Sequence, residues 1–316
     1  MGTAGAEVSL EGGWAPWRPL EGIGPVTAGV LAETVDGGQA FRWQREASGN
    51  WRGQWSDHVV RLRHHGEKVT WSAPDTRAAG TQAALREYFR LRDDFEALAA
   101  DLPWRTDAHL AACRAAFPGL RILRQPFGET LLGFLCSATK QIVQIKQMMA
   151  LLAERHGAPL GLASDGQPLH RLPSWDELAE VPETQLRACL LGFRARYISA
   201  TAKFLAAHPG WLHETESLPY PAAKERLCSL PGVGEKVADC VLLFGAGRLE
   251  AFPVDVWILR TLAVRYGLEG WKPAPLAQFG RAHFGPLAGL AQQYLFAFER
   301  ARARGAKKKE IGRAHV

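Results

Sequence analysis

Leu230-Pro231-Gly232-Val233-Gly234-Glu235-Lys236-Val237 is a tight turn written between two helical stretches, Ala222 to Ser229 before it and a helix beginning near Glu235 after it. The segment predicts a helix-hairpin-helix. Two glycines permit the reversal and let a ligand approach the backbone, while the first amides of the second helix point outward at the positive end of its dipole. A phosphate suits such a turn, and the grip is blind to base sequence. Hairpins of this kind also occur as noncatalytic DNA anchors, so the turn alone predicts binding and leaves the chemistry open.

Lys236 falls in the first turn of that second helix, where the dipole disfavours a cation. A lysine so oddly placed is a candidate nucleophile, an amine set to attack an electrophilic carbon. Nineteen residues on, Phe252-Pro253-Val254-Asp255-Val256-Trp257 sets an aspartate directly before an apolar-periodic helix running to about Tyr266. By position Asp255 is an N-cap. A capping carboxylate can also face an amine across a cleft, where it stabilises positive charge developing on a sugar as its base departs. Hairpin, lysine and aspartate together predict catalysis, with Lys236 and Asp255 as the reacting pair.

Outward from this segment the chain divides by period. Ala40 to Glu46, Asn50 to Trp55, His58 to Arg63 and Lys68 to Ala73 alternate apolar and polar residues between short Gly- or Asp-containing turns, the pattern of an antiparallel sheet. From about Thr81 the spacing becomes helical, through Leu85, Tyr88, Phe89, Phe95 and Leu98. Pro126 to His156 reads as one long apolar-striped segment, and Ser174 with Glu177 as a capping box opening another helix. The fold class is therefore α+β, with an N-terminal antiparallel β domain over 1–105 and a helical domain over 106–316. The Arg- and Lys-rich stretch from Arg300 to Arg313 is expected to be a solvated, frayed end.

A net charge of +6 and a pI near 9.2 mildly favour a polyanionic partner. Cysteines 113, 136, 189, 228 and 240 form no Cys-x-x-Cys pair, so no zinc knuckle or cysteine-ligated iron-sulfur cluster is spelled out. Their wide spacing suits reduced thiols inside a cell. No apolar run is long enough to span a membrane, and Met1 to Glu11 lacks the basic and apolar regions of a secretory signal. The expectation is a monomer without cofactor or metal, in a bacterial cytoplasm and nucleoid-associated rather than nuclear.

Leu230 to Arg260 resembles the signature of the helix-hairpin-helix DNA glycosylase superfamily, specifically its 8-oxoguanine DNA glycosylase/AP lyase branch. Gly37-Gly38-Gln39-Ala40-Phe41-Arg42-Trp43, Leu120-Arg121-Ile122-Leu123-Arg124-Gln125, Gly192-Phe193-Arg194-Ala195-Arg196-Tyr197 and Gly285 to Phe296 resemble that branch in the same order. The resemblance implies a bifunctional enzyme that needs no cofactor. It would extrude an oxidised purine from double-stranded DNA, displace it through a lysine Schiff base and nick the strand by β-elimination. Lys236 would then be the nucleophile and Asp255 its partner, with the amides of Gly232, Gly234 and Val237 on phosphate. Gly38 would offer its carbonyl to the N7 hydrogen of 8-oxoguanine, Gln292 would meet the Watson-Crick edge, and Phe296 and Cys240 would sandwich the ring.

The sequence also departs from the branch, and the departures cluster. Thr139 stands where an asparagine fills the hole left by the extruded base, Gln144 where an arginine meets the opposite cytosine, and Trp257 where a histidine binds phosphate. Phe193 replaces a tyrosine wedge, while Arg194 is retained as an opposite-base contact. Two alternatives stand beside this reading. One is the same scaffold acting on another damaged base, and the other is a noncatalytic hairpin module.

Overall fold

The computed structural model describes residues 13–163 and 166–314, with side chains to residue 305. Its five-stranded antiparallel sheet comprises β1 (Arg18–Pro19), β2 (Trp43–Arg45), β3 (Trp51–Trp55), β4 (His58–His65) and β5 (Lys68–Ser72), in the order β1-β5-β4-β3-β2. Trp43 pairs with Gly53, and the bare glycine makes room for the tryptophan: a Cβ there would lie 2.6 Å from three atoms of the indole. Fully buried, the indole donates its N–H to Tyr88 Oη at 2.9 Å, which satisfies both polar groups inside the core. Tyr88 closes helix α2 (Ala78–Tyr88), so this pair fastens the sheet to the first helix that follows it.

Two expectations need correction. The first third is not all strand before Thr81: α1 (Ala28–Asp36) precedes β2, capped by Thr27 Oγ1 on Val30 N–H, and the strand expected over Ala40 to Glu46 is confined to Trp43–Arg45. Secondly, Pro126 to His156 is two helices. After α3 (Phe95–Asp101) and α4 (Ala108–Ala116), α5 (Phe127–Leu135) stops at Cys136 and α6 (Ile142–His156) starts afresh. Between them Thr139 has φ 55°, which no helix accommodates. The Gln144 side chain accepts the Gln141 N–H at 3.1 Å and secures the new start.

The remaining elements among the described residues are a β6–β7 hairpin (Pro159–Leu162, Pro168–His170), short helical turns at Asp75–Arg77, Arg187–Leu191 and Gly285–Leu287, and nine further α-helices. These are α7 (Trp175–Glu180), α8 (Glu183–Leu186), α9 (Arg194–Ala207), α10 (Trp211–Ser217), α11 (Tyr220–Cys228), α12 (Glu235–Phe244), α13 (Val256–Tyr266), α14 (Pro273–Phe284) and α15 (Ala288–Ala314). The Ser174–Glu177 capping box opens α7 as expected. One continuous hydrophobic core runs from Leu20 through the sheet and helices to Ala297. Among the described residues no helix is long and apolar enough to cross a membrane.

Buried polar groups set the junction between sheet and helices. Gln39 donates to Arg121 O (2.8 Å) and accepts from Leu123 N–H (2.9 Å), and its own carbonyl accepts from the Gln125 side chain (2.6 Å). Arg121, pushed down to about 10 by burial, donates to the carbonyls of Gly22, Ile23, Phe89 and Arg90. These bonds fix the Gly37-Gly38-Gln39 strip against the helical body. The end of α15 also differs from expectation. The chain stays helical to Ala314, and Arg300 is buried rather than solvated. It donates to Gly37 O and pairs with Glu33 at 3.2 Å, a cation at the carbonyl end of α1.

Candidate active site

The hairpin joins α11 to α12. Gly232 has φ 81°, and a Cβ there would come within 2.7 Å of the Tyr197 ring, so glycine is required both by conformation and by space. Gly234 is the N-cap of α12 and brings no side chain to its amides. The first intrahelical bond runs from Ala238 N–H to Gly234 O at 3.0 Å, so the amides of Glu235, Lys236 and Val237 precede the helical ladder. Behind the turn, Asp239 is buried and accepts from Tyr220 Oη (2.7 Å) and Lys224 Nζ (3.1 Å), which ties α11 to α12. The sequence reading missed that lock, because a buried aspartate one turn past Lys236 looks like any helical acid.

Lys236 projects from the first turn of α12 toward the end of α5. Its Nζ donates to Ser137 Oγ at 3.2 Å and sits 5.3 Å from the centroid of the Phe134 ring. Asp255 caps α13, its Oδ1 accepting from Trp257 N–H (3.0 Å) and Ile258 N–H (2.9 Å). Burial raises the Asp255 carboxyl above its ordinary value, while the Ile258 amide and the Lys236 charge pull the other way. Cys240 stands one turn beyond Lys236 on α12, within reach of both charges. Burial pushes its thiol up to about 12, so it is a neutral apolar wall.

Gly38 approaches the same place from the sheet side. Its φ is 106°, and a Cβ would meet Ile142 Cδ1 at 2.9 Å and Phe296 Cζ at 3.7 Å. Lys146 holds Asp36 at 2.6 Å and Arg300 holds Gly37 O, so the strip before Gly38 is pinned from two helices. Arg300 also lies 5.2 Å from the Phe296 ring centroid and bears electrostatically on Asp255. Gln292, one turn before Phe296 on α15, is buried and donates to Pro253 O at 3.2 Å, two residues from Asp255. Lys236, Asp255 and Cys240 thus bear electrostatically on one another, Gly38 adjoins Ile142 and Phe296, and Gln292 bonds the backbone two residues from Asp255. Ile142, Ser137 and Arg300 belong with them and were not foreseen.

A second cluster forms the rim. Phe193 is 47% exposed just before α9, in T-shaped contact with Tyr197, the ring that supports the hairpin. Thr139 is exposed between α5 and α6. Arg194, expected to face an opposite base, is buried: it donates to Thr139 Oγ1 (2.9 Å), Leu191 O (3.2 Å) and Ala138 O, and stacks on Phe193 at 4.3 Å.

A family model described as the N-terminal domain of 8-oxoguanine DNA glycosylase matches residues 25–131. The N-glycosylase/DNA lyase OGG1 of Arabidopsis thaliana is 32% identical over 301 residues, 91% of this chain and 81% of that protein. The chain belongs to the 8-oxoguanine N-glycosylase/DNA lyase family. Another member, the N-glycosylase/DNA lyase of Saccharomyces cerevisiae, is 33% identical over 77% of this chain and 69% of its own length. The 8-oxoguanine glycosylase/lyase of Clostridium acetobutylicum, solved with double-stranded DNA containing cytosine opposite 8-oxoG, superposes with a TM-score of 0.80. It shares 32% identity over 86% of this chain and 92% of that one.

Proposed function

We propose that this chain excises 8-oxoguanine from duplex DNA and nicks the resulting abasic strand, as a bifunctional DNA glycosylase/AP lyase of base excision repair. Beyond family membership, one observation carries the reading: an amine and a buried carboxyl, Lys236 and Asp255, each open a helix and bear electrostatically on one another, the lysine on a helix whose N-terminal amides have no side-chain cap and suit a phosphate. The glycosidic bond is inaccessible within the stack, so the nucleotide must leave it first. Lys236 Nζ attacks C1′, the bond from C1′ to the base breaks, and the bonding pair departs with the base. Asp255 stabilises the positive charge on the sugar during that step. The attached amine gives up a proton, the C1′–O4′ bond opens with its electron pair on O4′, which takes up a proton, and the protonated imine so formed acidifies the C2′ hydrogen; loss of that proton expels the 3′ phosphate, which leaves with the electrons of the C3′–O bond.

In this reading the Gly232, Gly234 and Val237 amides bind phosphate, the Gly38 carbonyl accepts from N7–H of the lesion, and Gln292 meets its Watson-Crick edge between Phe296 and Cys240. Thr139, Phe193 and Arg194 make up the rim at the emptied stack. The division into a β domain over 1–105 and a helical domain over 106–316 is carried with it. So are a monomeric state and a bacterial cytoplasmic, nucleoid-associated location; the five free cysteines support a reducing compartment. Single-turnover cleavage of duplexes carrying 8-oxoguanine, an oxidised pyrimidine or an alkylated purine tests the substrate. Fastest release of 8-oxoguanine is expected, and faster release of either other lesion would overturn the assignment.

A further inference from the structure

Among the described residues only Ser56, Arg90, Thr139 and Leu190 have positive φ without being glycine. Two of these four lie on the rim, and one guanidinium holds both of their loops, since Arg194 donates to Thr139 Oγ1 and Ala138 O on one side and to Leu191 O on the other. Leu190 sits at φ 62°, ψ 16°, inside a widened turn over Arg187–Leu191. An L-residue is disfavoured there, and a leucine has no side-chain polar group to compensate. Nor does the core compensate it. Cys189 and Leu191 on either side are fully buried, whereas Leu190 is 51% exposed, three residues from the 47% exposed Phe193.

We propose that Leu190 is a second apolar wedge, entering the base stack of bound duplex DNA beside Phe193. The inference rests on the reading of this chain as a glycosylase of duplex DNA and adds a residue to its extrusion step. Apolar side chains inserted at a base step unstack it and kink the duplex, and such a residue must already be outside the core. Strained backbone persists where surrounding contacts over-determine it, and it gathers where a fixed geometry is used. Arg194 supplies the fixing contacts, so Leu190 and Phe193 meet the duplex as one preorganised edge and little ordering entropy is lost on binding. Thr139 brings only a short side chain to this rim, which leaves the apolar bulk to the Leu190–Phe193 loop.

The test compares wild type, Leu190→Gly and Phe193→Ala in single-turnover excision of 8-oxoguanine. One substrate pairs the lesion with cytosine in a full duplex, and the other places it in a bubble of unpaired bases where extrusion costs little. Leu190→Gly is expected to slow excision from the full duplex about tenfold, in the same sense as Phe193→Ala, and to leave the bubble rate within about twofold. Its Tm should stay within about 3 °C of wild type, because relief of the positive φ offsets the looser unfolded chain. A wild-type rate for Leu190→Gly on the full duplex would overturn the proposal, as would equal slowing on both substrates. A wild-type protein inactive on both would instead remove the glycosylase reading, and Leu190's role with it.

Discussion

Asp255 places both of its capping bonds on Oδ1, which leaves Oδ2 for the role proposed for it in catalysis. Asparagine keeps that oxygen and caps about as well, but loses the charge. Asp255→Asn is therefore expected to slow base release more than about a hundredfold while leaving Tm at neutral pH at or above wild type. The sign follows from the raised carboxyl: its contribution to stability is present below the ordinary aspartate range and lost as pH rises through the folded value. Wild-type base release should correspondingly fall on acidification at a pH above that ordinary range, and a pH-rate profile that stays flat until below pH 4 would contradict it. Lys236 and Asp255 were legible because each is marked by a local pattern, a hairpin and a cap. Ser137 and Arg300 were not, since their contacts with Lys236 and Gly37 span 99 and 263 positions and only the folded chain brings them together.

At the scale of elements, the hairpin helices, the capping boxes and the strand alternation were readable because their signals lie within a few residues. The break between α5 and α6 was not. Cys136 to Gln141 holds no Gly or Pro to mark a stop, and between the two helices stands a left-handed Thr139 held by Arg194 from another element. Helix α1 was missed behind its neighbouring strands, although Thr27 with Val30, Leu31, Thr34 and Val35 carries a cap and a buried face. Another long-range device is Glu129 on α5, which accepts the Ser56 N–H of the β3–β4 turn at 2.7 Å. Burial raises its carboxyl from an ordinary 4.5 to about 7. Its protonated form suits the folded state, so this stability is fully present below about 4.5 and lost as pH rises through about 7. Glu129→Gln keeps the acceptor without the charge. Its Tm relative to wild type should climb by roughly 2–4 °C between pH 5 and pH 8, and parallel melting curves would rule out that linkage.

For the whole molecule, sheet and helices share one core, and the candidate site draws on both: Gly38 from the sheet side, Lys236 and Cys240 from the hairpin, Phe296 and Gln292 from the last helix. The rim formed by Thr139, Phe193 and Arg194 is where the opposite base is proposed to be met. Arg194 donors are committed to Thr139, Ala138 and Leu191, and Gln144 accepts at the start of α6. The two-pronged end of Arg194 is thus not free to meet cytosine's two acceptors, at about 1 to 3 kcal/mol of discrimination for each good contact. Excision opposite cytosine should therefore exceed excision opposite adenine, guanine or thymine by less than about a thousandfold, and a larger preference would show that the rim reorganises around the partner base. The central claim remains covalent chemistry at Lys236. Wild-type protein and Lys236→Gln are incubated with 8-oxoguanine duplex and borohydride, and the trapped species is digested and sequenced. The account predicts a reduced adduct on Lys236 in the wild type, with none in the variant despite retained DNA binding; an adduct on any other residue, or one formed by Lys236→Gln at the wild-type rate, would contradict it.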